Sequence, residues 1–160
     1  MPEAPESKDL IVVAIDPGVN GGVVWKAGRE VFAVRMPPTE LDCVDLLRKV
    51  AGLSPWVEMY IEDPPLFTGR LIPGSAVGKL QKNYGVLLGA SYALNFKVKA
   101  VRPPVWQTAH EFGKKGKLTT TEWKNKLKAK AAELYPDGVP VTLWSADALL
   151  ILSAALKQKI

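Results

Sequence analysis

One cysteine and one histidine make up the whole supply of thiol and imidazole in this 160-residue chain. With Cys43 alone, an internal disulfide and a Cys-rich zinc site are excluded. With His110 alone, zinc sites that need two imidazoles are excluded, and a Ser-His-Asp arrangement would hang on one residue. No apolar run approaches the roughly 18–20 residues of a membrane-spanning helix, and there is no repeat or low-complexity tract. The opening MPEAPESKD is polar and acidic, unlike a secretory signal or an Arg-rich presequence. The expectation is a soluble intracellular protein, cytoplasmic or nucleoid-associated, with no membrane partner. Residues 1–9 read as a disordered tail and 10–160 as a single domain.

Apolar residues form 48% of the chain and charged residues 23%, enough for a sizeable core and too few charges for a disordered tail. The net charge of +5 conceals an asymmetry. Residues 1–70 carry 7 Lys/Arg against 11 Asp/Glu, whereas residues 71–160 carry 14 against 5. A basic C-terminal half is the footprint of a polyanion binder or of a lysine-rich solvated surface.

Leu10–Asp16 (LIVVAID) is a continuous β-branched run, the pattern of a central strand buried on both faces. Gly21–Lys26 and Glu30–Met36 alternate around Ala27-Gly28-Arg29 and predict a hairpin. Thr39 caps a predicted helix running to Val50. Trp56–Glu62 reads as a fourth strand and Lys97–Val101 as a fifth, halted by Pro103-Pro104. Helices are expected over Ser75–Asn95, Thr119–Tyr135 and Ser145–Lys157, the last apolar on nearly every side. The small residues Gly78, Gly85, Gly89 and Ala90 of the long helix would permit close packing. Glu111–Leu118 reads as a mobile basic loop.

Three acids sit in unusual places. Asp16 ends the first strand, Glu62 ends the fourth, and Asp147 begins the apolar last helix. Each has an ordinary reading: a turn-former before Pro-Gly, a loop cap, a first-turn acid favoured by the helix dipole. A carboxylate continuing a buried strand is costly unless paired or bound to a cation. If strands one and four are parallel neighbours, Asp16 and Glu62 face one point and Asp147 is placed to approach it. Hard oxygen donors without Cys or His define a Mg²⁺ or Mn²⁺ site, which activates water in phosphodiester hydrolysis.

An ordered set of segments resembles the RuvC family of Holliday junction resolvases, whether of phage, bacterial or organellar type. They are Ile15-Asp16-Pro17-Gly18, Tyr60-Ile61-Glu62, Tyr84–Gly89, Pro103–Gln107 and Ser145–Ile151 (SADALLI), spanning roughly residues 10 to 155. The resemblance implies an RNase H-like α/β fold, a mixed five-stranded sheet in order 3-2-1-4-5 flanked by helices. It implies a homodimeric crossover junction endonuclease that acts on branched DNA in recombination and repair. Asp16, Glu62 and Asp147 match the family's catalytic, metal-binding carboxylates, holding Mg²⁺ (with Mn²⁺ as substitute), two ions per site. Phe67 matches by position an aromatic that wedges or stacks at the junction. One position departs: Trp144 stands where the family commonly has an acid or histidine, which bears on the second ion.

For DNA contacts, Lys114, Lys115 and Lys117 in the basic loop come first, then Lys79 and Lys82, with Arg70 following Phe67. Lys124, Lys126, Lys128 and Lys130 spread around their helix and read better as a solubility surface. Two other functions compete. One is a catalytically weak or inactive junction-binding module, or a related nuclease on another branched DNA. The other is a sugar-kinase or actin-like ATPase, whose first strand also ends in Asp before a Gly-rich turn but which needs two such domains.

Overall fold

The apolar run after Leu10 forms the central strand of a five-stranded sheet in a computed structural model that describes residues 9–65 and 72–160. In chain order the strands are β1 (Ile11–Asp16), β2 (Gly22–Ala27), β3 (Glu30–Arg35), β4 (Val57–Glu62) and β5 (Lys97–Val101). Their spatial order is β3-β2-β1-β4-β5. β1, β2 and β3 pair antiparallel, and β1–β4 and β4–β5 pair parallel, as expected from the tight early turns and the later helical crossovers.

Alternate residues of β1 feed two cores. Ile11, Val13 and Ile15 face the layer of α1 (Glu40–Ala51) and α2 (Gly74–Ala93), with Leu47, Met59, Ile61 and Leu87. Val12 and Ala14 face the opposite layer of α3 (Pro103–Ala109), α4 (Thr120–Leu134) and α5 (Ala146–Leu156), with Trp106, Leu127 and Leu149. A strand with both faces covered needs no polar alternation, and β1 has none before Asp16. Full burial of a Leu, Ile or Val side chain contributes about 1.5–3 kcal/mol, and β1 and α5 bury several each.

α5 lies between the sheet and α4, and nine of its eleven residues are buried. Asp147, in its first turn, is its only charged residue. α4 starts with a reciprocal cap: Glu122 N–H donates to Thr119 Oγ1 at 3.2 Å, and Thr119 N–H donates to Glu122 Oε2 at 2.7 Å. α2 ends before Asn95, which adopts φ 59° in the left-handed region that Asn tolerates.

Two expectations change. α3 was not anticipated, because Pro103-Pro104 reads as a stop; prolines need no N–H in a helix's first turn, and here they open one. The glycines of α2 do not serve close packing within the described residues: a Cβ at Gly78, Gly85 or Gly89 would meet nothing within 4 Å. Among the described residues no helix is long and apolar enough to cross a membrane. Of the expected tail over residues 1–9, residues 1–8 lie outside the described residues.

Candidate active site

The register of the two central parallel strands runs from Ile11↔Val57 to Ile15↔Ile61, so Asp16 and Glu62 are the next residue on each strand. By strand alternation Asp16 shares the face of Val12 and Ala14, and Glu62 that of Tyr60, all on the α5 side. Asp147 comes down on that face from the first turn of α5. The three carboxylates line one open cleft.

The turn after Asp16 is tightly held. Gly18 adopts φ +102°, a left-handed conformation that disfavours side chains, and its N–H donates to Asn83 Oδ1 on α2 at 2.8 Å. Gly21 N–H returns to Gly18 O at 3.0 Å, and Met36 N–H donates to Gly21 O at 3.0 Å. A Cβ on Gly21 would lie 1.9 Å from Asp16 O, so only glycine lets the chain pass here. Glu62 is held differently: the buried Trp106 indole donates its Nε1–H to Glu62 Oε2 at 2.8 Å. Asp63, next in sequence, turns away and lies 4.0 Å from Arg102.

Burial in the recess raises the proton affinity of each carboxylate, and crowding adds to it for Asp16 and Glu62. Asp16 is pushed well above the usual range by burial and then by repulsion from Glu62 and Asp147. Burial and repulsion from Asp147 carry Glu62 up to about 7, against the pull of the Trp106 N–H and Lys124. Burial raises Asp147 as well, and Lys124 draws it down. Among the described residues no three acidic, His or Cys side chains close into a ready-made ion cage. The donors are nonetheless all hard oxygens, and their mutual repulsion is the strain a divalent cation relieves, so the set fits Mg²⁺ or Mn²⁺.

Of the lysines expected to meet DNA, Lys79 and Lys82 line the cleft, Lys82 paired with Glu40 at 2.5 Å. Lys114, Lys115 and Lys117 are exposed between α3 and α4, outside the cleft lining, with Lys115 donating to Thr120 Oγ1 at 3.0 Å. Phe67 and Arg70 lie outside the described residues. Trp144 packs on the start of β2, where a Cβ on Gly22 would come 2.8 Å from its ring.

Three contributors escape a reading of the sequence. Lys124, expected on a solvated face, lines the cleft with the carboxylates, because Trp123 and Leu127 anchor that side of α4 in the core. Trp106 lies in the Pro103–Gln107 segment of the resemblance but had no role assigned, and Asn83 carries no motif. Helical spacing from Trp123 was a usable signal for Lys124; for the other two none existed.

No protein-family model matches the chain, and no curated protein does. Among solved structures the chain is similar to T. thermophilus RuvC in complex with Holliday junction substrate, with a TM-score of 0.59 and 16% identity. That match covers 94% of this chain and 97% of the other. It is also similar to the Thermus thermophilus RuvC structure, with a TM-score of 0.56 and 17% identity over 93% and 97% of the two chains. At these identities the likeness is one of fold. The sheet order and flanking helices match the RNase H-like fold of these RuvC structures.

Proposed function

We propose that this protein is a metal-dependent, structure-selective endonuclease that resolves four-way DNA junctions inside the cell. The observation that carries the reading is the β1–β4 register, which sets Asp16 and Glu62 side by side on the face reached by Asp147. The likeness to a RuvC structure holding a Holliday junction substrate favours this branched DNA over other polyanions. Residues 10–160 then form a single nuclease domain.

In this reading Asp16, Glu62 and Asp147 hold Mg²⁺, or Mn²⁺ in its place. The bound metal supplies water activation and stabilisation of the departing 3′ oxygen. The chain supplies orientation: Asn83 and Gly21 fix the turn that carries Asp16, and Trp106 fixes one oxygen of Glu62. Lys79 and Lys82 meet phosphates at the cleft, and Lys114, Lys115 and Lys117 hold a flanking duplex arm. Phe67 remains assigned to the junction by resemblance and Arg70 by its basic charge just after it in sequence. Trp144, packed against Gly22, offers no ligand, so a second ion would rest on the same three carboxylates, water and phosphate.

A homodimer belongs to the same reading. The face of α2 bearing Gly78, Gly85, Gly89 and Tyr92, the last 61% exposed, is open enough for a second copy.

Incubation with a labelled four-way junction and Mg²⁺ tests the proposal: paired nicks are expected from the wild type and none from Asp16→Asn. No product with either Mg²⁺ or Mn²⁺ would overturn it. Trp144 in place of an acid favours one second reading, a junction-binding module without useful nuclease activity. That reading predicts salt-sensitive binding with no metal-dependent product.

A further inference from the structure

We propose that Glu40 holds the place of a substrate phosphate on Lys82, and that a DNA strand seats in the cleft by exchanging its phosphodiester for the Glu40 carboxylate. The proposal rests on the nuclease reading above and adds to it a contact that the free protein makes against its own substrate. Lys82 Nζ lies 2.5 Å from Glu40 Oε1, and both residues line the cleft that holds Asp16, Glu62 and Asp147.

The backbone on each side of this pair is fixed, while the charged ends are free to part. Glu40 sits in the first turn of α1 behind the Thr39 cap, where the helix dipole favours an acid with or without a facing lysine. Asp42, the other acid of that turn, accepts from Thr39 Oγ1 at 2.6 Å and does not line the cleft. Lys82 precedes Asn83, whose side chain is tied to Gly18, and follows Lys79 by one turn along the cleft. The Lys82 and Glu40 side chains are 68% and 51% exposed. A pair this exposed adds little to stability, so its main consequence is for the ammonium, which stays neutralised until another anion takes it. A DNA phosphate has the advantage in that exchange: pairing with it releases condensed counterions, whereas a single carboxylate holds none.

The test measures four-way junction binding by the full chain in Ca²⁺ across salt concentrations, with Glu40→Gln, Lys82→Ala and the double variant. Glu40→Gln should tighten binding about two- to fivefold at low salt, and the gain should fade as salt screens the pair. Lys82→Ala should weaken binding and lower the slope of log K against log salt by about one. In the Lys82→Ala background, Glu40→Gln should change affinity by about 1.5-fold or less, because no ammonium is left to release. Carbon NMR reads the exchange directly. Adding junction to the wild type should move the Glu40 carboxyl resonance toward its position in Lys82→Ala.

Unchanged affinity in Glu40→Gln, or an equal gain with and without Lys82, overturns the exchange. So does a Glu40 resonance that the junction leaves in place, or a wild type that binds no junction. Urea midpoints of both single variants should stay near wild type, and a large loss in both would make the pair a structural brace and overturn the proposal. None of these readouts requires cleavage, so a wild type that binds and exchanges but never cuts overturns the nuclease reading alone.

Discussion

Asn83 on α2 accepts a 2.8 Å hydrogen bond from the backbone N–H of Gly18, 65 residues away in sequence and two residues beyond Asp16. The same side chain points its Nδ2 at Cys43 Sγ, 3.7 Å away on α1. One amide thus ties the Asp16 turn to both helices of its layer.

Removing that amide leaves a partly buried N–H without its acceptor. Asn83→Ala should lose about 1–2 kcal/mol of stability in urea titrations and weaken Mg²⁺ binding. Asn83→Asp keeps an oxygen for Gly18 and should recover most of both. Equal losses in the two variants would mean that the Gly18 bond does not position Asp16.

Trp106→Phe retains an aromatic ring in the core but deletes the N–H that Glu62 accepts. Because that bond favours ionised Glu62, its loss should move the proton affinity further up from about 7. The pH profile of cleavage should shift to higher pH with little change in junction affinity. An unmoved profile would assign Trp106 to packing alone.

The carboxylate cleft gives stability a pH dependence of definite sign. Asp16, Glu62 and Asp147 all have raised proton affinities, so their contribution is fully present below the usual carboxylate range. It is lost as pH rises through the folded-state values, about 7 for Glu62. In EDTA, Tm should therefore fall between about pH 5 and pH 8, and Mg²⁺ should restore it at pH 8 much more than at pH 5. Asp16→Asn should raise Tm at pH 8 in EDTA by about 2–4 °C while abolishing cleavage. A lower Tm for this variant would contradict the repulsion.

His110 has the opposite sign. Burial lowers its proton affinity despite a 2.7 Å hydrogen bond to Leu150 O, and Lys157, Lys130 and Lys159 lower it further. Its contribution is present above the ordinary histidine value of 6.5 and lost as pH falls through the lower folded value. Removing this opposing contribution, His110→Gln should raise the urea midpoint at pH 5 relative to pH 7.5 compared with the wild type.

Gly85 separates folding from association. Nothing lies within 4 Å of a Cβ there, so Gly85→Ala should stabilise α2 by about 0.5–1 kcal/mol in the monomer. A bulkier Gly85→Leu should keep the monomer folded and prevent the proposed dimer in sedimentation analysis. A dimer that survives it would place the interface elsewhere.

Local pattern alone was enough to place the strands and the candidate carboxylates along the chain. A buried β-branched run ending in Asp, a hairpin around Gly28, and an apolar helix opening on one acid are each legible within ten residues. The sheet order, with β1 beside β4, followed only from the resemblance to a known family. Packing alone settles which further side chains hold the carboxylates and the turn that carries Asp16. Trp106 meets Glu62 across 44 residues and Asn83 meets Gly18 across 65, and no local periodicity encodes a contact at that separation. Lys124 went unrecognised for a related reason. The rotation of a basic helix is set by what its few apolar residues pack against, and Trp123 and Leu127 find that surface only once α5 lies on the sheet.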